Sequence, residues 1–129
     1  MLPKNDVALL VENGPFYTDV DTIRSAIVAE ERRLEAILNS ETLRHFSRRI
    51  EYWDLLIRVL KSGGNNSVGL NDIALLCKSG TMHPHSLTKF LRETISAGLV
   101  YTEEGNPRDK KVVRASAQLI TDFVSLTQQ

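Results

Sequence analysis

Turn-forming residues interrupt the second half of the chain at four places: Ser62-Gly-Gly-Asn-Asn-Ser67, Ser79-Gly80, Gly98 and Glu104-Gly105-Asn106-Pro107. Each stretch between them has room only for a few helical turns or a single strand, so a long helical bundle is excluded there. Leu70-Asn-Asp-Ile-Ala-Leu-Leu-Cys-Lys78 reads as a short helix with Leu70, Ile73, Ala74 and Cys77 facing inward. After the turn, Pro84 suits the first position of a new helix, where its missing N–H costs nothing. Leu87, Phe90, Leu91 and Ile95 are its buried stripe, and Gly98 supplies a left-handed C-terminal cap. Leu99–Thr102 and Val112–Ala115 are strand-like and flank the hairpin turn. Ser116 then caps a last helix with Leu119, Ile120, Phe123, Val124 and Leu126 on its apolar face.

The first half is built differently. Residues 1–20, broken at Asn13-Gly14-Pro15, read as an arm or short element. From Asp21, helical spacing of Ile23, Ala26, Ile27, Leu34, Ile37 and Leu38 predicts a helix, with Asp19 or Asp21 as its cap. Ser40 can cap a second helix, in which Leu43, Phe46, Ile50, Trp53, Ile57 and Leu60 recur at three- and four-residue steps up to Gly63. Leu55, Leu56 and Val59 widen that stripe, so the helix needs cover on several sides, in a core or a subunit interface.

With 129 residues, 42% of them apolar, the chain can bury one core without metal or disulfide staples. Cys77 is the sole cysteine, which excludes an intramolecular disulfide, and no secretory leader is recognisable, so a cytoplasmic setting is expected. Apolar runs such as Val7–Val11 fall far below the roughly twenty residues that span a bilayer. Sixteen basic and sixteen acidic residues sum to zero, but they are segregated. Residues 1–40 carry a net charge of minus three, 78–92 plus three, 93–105 minus three and 106–114 plus three. Such segregation bears on partners rather than on fold.

Two short helices joined by a tight turn and followed by a hairpin form the layout of a winged helix-turn-helix. The expected fold is therefore mainly α with a small β-hairpin wing and extra N- and C-terminal helices. Residues 1–40 would form an arm and a dimerisation helix, 41–115 the DNA-binding domain, and 116–129 a helix packing on the core or the dimer interface. In this layout the helix at about 84–97 enters the major groove. Its side opposite the apolar stripe carries His85, Lys89 and Arg92 at i, i+4 and i+7, with Ser86 and Thr88 flanking and His83 at its start. Arg and Lys can approach guanine or phosphate, and hydroxyls can bond either. The second basic segment falls on the wing, about 100–114, with Arg108 at the tip and Lys110 and Lys111 opening the returning strand, placed to reach a narrow minor groove.

Leu70-Asn-Asp-Ile-Ala, Ser-Ala-Gly98-Leu-Val-Tyr and above all Asn106-Pro-Arg-Asp-Lys-Lys-Val-Val-Arg-Ala-Ser116 resemble the helix start, helix-to-wing junction and wing of MarR-family transcriptional regulators, over roughly residues 50 to 123. The family wing usually reads Asp-Pro-Arg-Asp-Arg-Arg, then a Leu-Thr opening the next helix. Here Arg108 and Asp109 match, Lys110 and Lys111 stand for the arginines, Ala115-Ser116 replaces Leu-Thr, and Asn106 departs from Asp. The resemblance implies that Arg108 enters the minor groove and that the chain is a homodimer reading a pseudo-palindromic duplex. It also implies a possible small-molecule effector, for which Phe46, Tyr52 and Trp53 could line a cavity, although aromatics at helical spacing are more often core. The chain stops at Gln129, so the N-terminal arm and first helices would supply more of the interface than in family members with long C-terminal helices.

Other readings are weaker. No phosphate-binding glycine loop, nucleophile elbow or acid pair points to catalysis, and no cofactor is expected. His45, His83 and His85 lack metal-ligand spacing. Cys77, on an inward helix face, reads as a structural thiol rather than a redox sensor. The competing class is a winged-helix module that binds protein instead of DNA.

Overall fold

A computed structural model describes residues 19–63, 67–78, 81–105 and 111–128. The chain divides into two compact units, residues 1–36 with Gln129, and Ile37–Gln128. Its elements are helices α1 (Val20–Leu38), α2 (Glu41–Ser47) and α3 (Ile50–Lys61), a 3-10 helix (Ile73–Leu76), helix α4 (Pro84–Ser96), strands β1 (Val100–Glu104) and β2 (Lys111–Ala115), and helix α5 (Ala117–Leu126). The architecture is mainly helical with a small antiparallel hairpin. Among the described residues no helix is long and apolar enough to cross a membrane.

Within the first unit, α1 starts where Asp19 Oδ1 accepts the Thr22 N–H at 2.7 Å. Val28 and Leu34 are exposed on it. In the second unit Ser40 caps α2 as its sequence predicts, accepting the Leu43 N–H at 3.2 Å.

The expected single helix from Ser40 to Gly63 is instead broken at Arg48-Arg49, where Arg49 is extended at φ −145°, ψ 148°. The reason lies in which residues are buried. At about 100° per residue, Leu43 and Phe46 face one way and Leu55, Leu56 and Val59 face roughly 160° away on a continuous helix. No straight helix could bury both sets against one core, so the chain restarts and rotates. Ile50, expected in the stripe, is left 71% exposed. Nor is Gly63 a left-handed cap, since Gly98 alone has positive φ among the described residues. The chain leaves α3 through extended Ser62.

The expected helix at 70–78 is reduced to the 3-10 helix, because it is confined from both sides. Upstream, Val68–Leu70 pairs with β2, through Val113 N–H to Val68 O at 3.1 Å and Leu70 N–H to Lys111 O at 3.0 Å. Downstream, Asp54 on α3 accepts the Lys78 N–H at 2.6 Å and holds Arg58 at 3.2 Å. Ile73 and Ala74 are buried as expected, whereas Leu75 and Leu76 are exposed.

Helix α4 begins at Pro84 and is closed by Gly98 at φ 79°, with Gly98 N–H to Ile95 O at 3.1 Å and Leu99 N–H to Thr94 O at 3.0 Å. The hairpin pairs Val100 with Ala115 and Glu104 with Lys111. Ser116 caps α5 through the Leu119 N–H at 3.2 Å, and Asp122 on α5 accepts hydrogen bonds from the Ser40 and Thr42 hydroxyls at the start of α2. Ile120 and Val124 remain exposed. The core joins Leu43, Phe46, Leu55, Leu56, Val59, Ile73, Leu87, Leu91, Val100, Val113 and Leu119.

Buried Ser62 ties three segments together. Its hydroxyl donates to Val113 O at 3.0 Å and accepts the Val68 N–H at 2.9 Å. Ser62→Ala strands that N–H and is expected to cost about 1–3 kcal/mol in urea unfolding. An unchanged midpoint and slope would show that the joint carries no stability.

Candidate nucleic-acid interface

Helix α4 meets the rest of the second unit through Leu87, Phe90 and Leu91, all buried, which turns its opposite side outward. His85, Ser86, Lys89 and Arg92 are exposed there, and Lys89 and Arg92 form no ion pair or hydrogen bond with the described residues. The other helix residues predicted for the site have structural duties. His83 is the N-cap, its Nδ1 accepting the His85 N–H at 3.0 Å, so the ring is held with that nitrogen unprotonated. Half-buried Thr88 donates to Pro84 O at 3.0 Å.

On the wing, Lys111 opens β2, exposed and directly across from Glu104. Arg108 and Lys110 lie outside the described residues. Arg114, counted in the positive segment, is neutralised: its Nε lies 2.7 Å from Glu103 Oε1, and its terminal nitrogens bond Ser67 Oγ at 2.8 Å and Val113 O at 3.0 Å. The charge windows along the sequence treated Glu103-Glu104 and 106–114 as separate, but the hairpin register lays one against the other.

A group the sequence reading passed over lies beside α4. The break between α2 and α3 leaves Arg48 and Arg49 exposed, and a shallow groove of about 500 Å³ runs between this elbow and α4. Arg49, Tyr52, Thr81, His83, Ser86 and Lys89 line it, together with Met82, Phe90 and Glu93. Arg49 Nε sits 3.2 Å from Glu51 Oε2, and Glu51 also accepts the Thr81 hydroxyl, whose hydrogen bond is the main cause holding the Glu51 carboxyl below its ordinary range. In the sequence the signal was Arg44, Arg48 and Arg49 together, diluted by four acids in residues 41–77.

The floor is aromatic. Phe90 stacks on Tyr52 with centroids 3.7 Å apart and rings 3° from parallel, and lies 5.0 Å from His45 at 20°. The Arg48 guanidinium is 5.5 Å from the Tyr52 centroid. Phe46, fully buried, and Trp53, 6.3 Å from Phe123, pack in this unit rather than line the groove. Comparison with family models, curated proteins and solved structures finds no match.

Burial, then the Arg48 charge, lowers the His45 pKa below 6.5, and its buried Nε2 has no hydrogen-bond partner. The unfolded chain therefore takes up this proton more readily than the folded one. Stability from neutral His45 is complete above pH 6.5 and is lost as pH falls below it. His45→Phe, which keeps a ring on Phe90, is expected to flatten the stability slope between about pH 6.5 and 5; an unaltered slope would exclude His45 as its source.

Half-buried Cys77 is pushed up to about 11 by burial, with the Asp54 carboxylate adding to it. Alkylation of the folded protein at pH 8 should be tenfold to about a hundredfold slower than of the unfolded chain. Equal rates would mark an accessible, activated thiol.

Proposed function

We propose that this protein binds duplex DNA as a MarR-like winged helix-turn-helix transcriptional regulator, cytoplasmic and dimeric. The observation that carries the reading is the outward face of α4, where Lys89 and Arg92 stand exposed and without partners among the described residues beside His85 and Ser86. The order of elements supports it: a helix, a pairing segment at Val68–Leu70, a confined turn of 3-10 helix, then α4 and a hairpin. Helix α4 would enter the major groove and the hairpin, with Arg108, Lys110 and Lys111, would meet the minor groove. Exposed Val28, Leu34 and Leu38 on α1, and Ile120 and Val124 on α5, are the apolar surfaces available to a two-fold interface.

A protein-binding module is the second reading. It is favoured by the wing's offset charges, Glu103 against Arg114 and Glu104 across from Lys111, and by exposed Leu75 and Leu76.

Selection of bound duplex from a random pool at two salt concentrations separates the two. The regulator reading expects a pseudo-palindrome with half-sites about 10 base pairs apart. Arg92→Ala is expected to relax preference at one position by about 1–3 kcal/mol. Retained duplexes with no enrichment at either salt, or none retained, would overturn it.

A further inference from the structure

We propose that the groove between the α2–α3 elbow and α4 holds a backbone phosphodiester of the bound duplex, with Arg49 and Lys89 as its two cations. The proposal rests on the DNA-binding reading and extends the contact surface to an element outside the helix pair and the hairpin. A helix lying in the major groove is flanked by sugar-phosphate strands, so cations beside it meet phosphates while those on its outward crest meet base edges. At about 100° per residue, His85 and Arg92 share the crest of α4, whereas Ser86, Lys89 and Glu93 turn toward the groove side. Lys89 is thereby assigned to the backbone, and His85 and Arg92 are left to read bases.

Arg49 comes from the opposite wall. The helix break puts it in extended backbone, and buried Glu51 fixes its Nε at 3.2 Å, while its terminal amino groups contact none of the described residues and its side chain is 53% exposed. A guanidinium oriented by a buried carboxylate, with its outer edge open, is a preorganised phosphate fork. The Ser86 hydroxyl and the His83 ring, whose Nε2–H stays a donor because Nδ1 is used in the cap, add neutral donors. Glu93 is the acid lining this groove and works against an anion.

The test measures affinity of the intact protein for a selected duplex and for a random-sequence duplex between 50 and 200 mM salt. Arg49→Gln is expected to weaken both duplexes by the same factor. One lost phosphate contact makes its affinity fall about three- to fourfold less than the wild type's across that salt range. Arg49→Lys should restore the salt dependence, and Glu93→Gln, an exposed change that does not depend on the elbow's folding, should tighten both duplexes. If the wild type binds but Arg49→Gln and Glu93→Gln change neither affinity nor salt dependence, the phosphate site is overturned and the DNA reading stands. A shift in sequence preference without a change in salt dependence would place Arg49 on a base edge and also overturn it. A wild type that binds neither duplex overturns both.

Discussion

The fold of the second unit depends on one steric requirement: the apolar residues of 41–61 cannot all face one core from a straight helix. Leu43 and Phe46 lie on one side and Leu55, Leu56 and Val59 on nearly the other, and burying both sets forces the break at Arg48-Arg49. Two consequences follow from this turn. Tyr52 and His45, on either side of it, come within stacking distance of Phe90 and seat α4. The two arginines, which have no place in a core, are turned out beside that same helix.

The rest of the unit is held by polar side chains of α3 acting on backbone groups far along the chain. Asp54 captures the Lys78 N–H, and Ser62 bridges Val68 N–H and Val113 O. Between these anchors only one 3-10 turn fits, which fixes where α4 can start. A buried hydroxyl satisfied on both its donor and acceptor sides specifies geometry as well as stability, since any slip of β2 against Val68–Leu70 leaves backbone groups unpaired.

The electrostatics of the candidate interface are more local than a charge count suggests. The hairpin spends much of its positive charge internally, on Glu103 and across from Glu104, whereas α4 keeps Lys89 and Arg92 unpaired among the described residues. Exposed pairs like Arg114–Glu103 contribute little to stability, but they do remove charge from a surface that might otherwise attract phosphate. The helix and the elbow beside it, rather than the hairpin's described strands, hold the open cations.

The sequence by itself determined the elements whose signals are local. Capping at Ser40 and Ser116, Pro84 at the start of α4, Gly98 at its end, and the strands around the hairpin are each set by a residue's own backbone preference or a side chain three positions away. The outward face of α4, with His85, Ser86, Lys89 and Arg92, was legible for the same reason, since a helical period assigns faces without knowledge of the partner. Only the tertiary structure decided that 41–61 is two helices, that 70–78 yields a single 3-10 turn, that Arg114 is neutralised and that Arg49 stands beside Lys89. Those outcomes turn on contacts between residues tens of positions apart, where periodicity within one segment carries no information about which of two apolar faces the core will take.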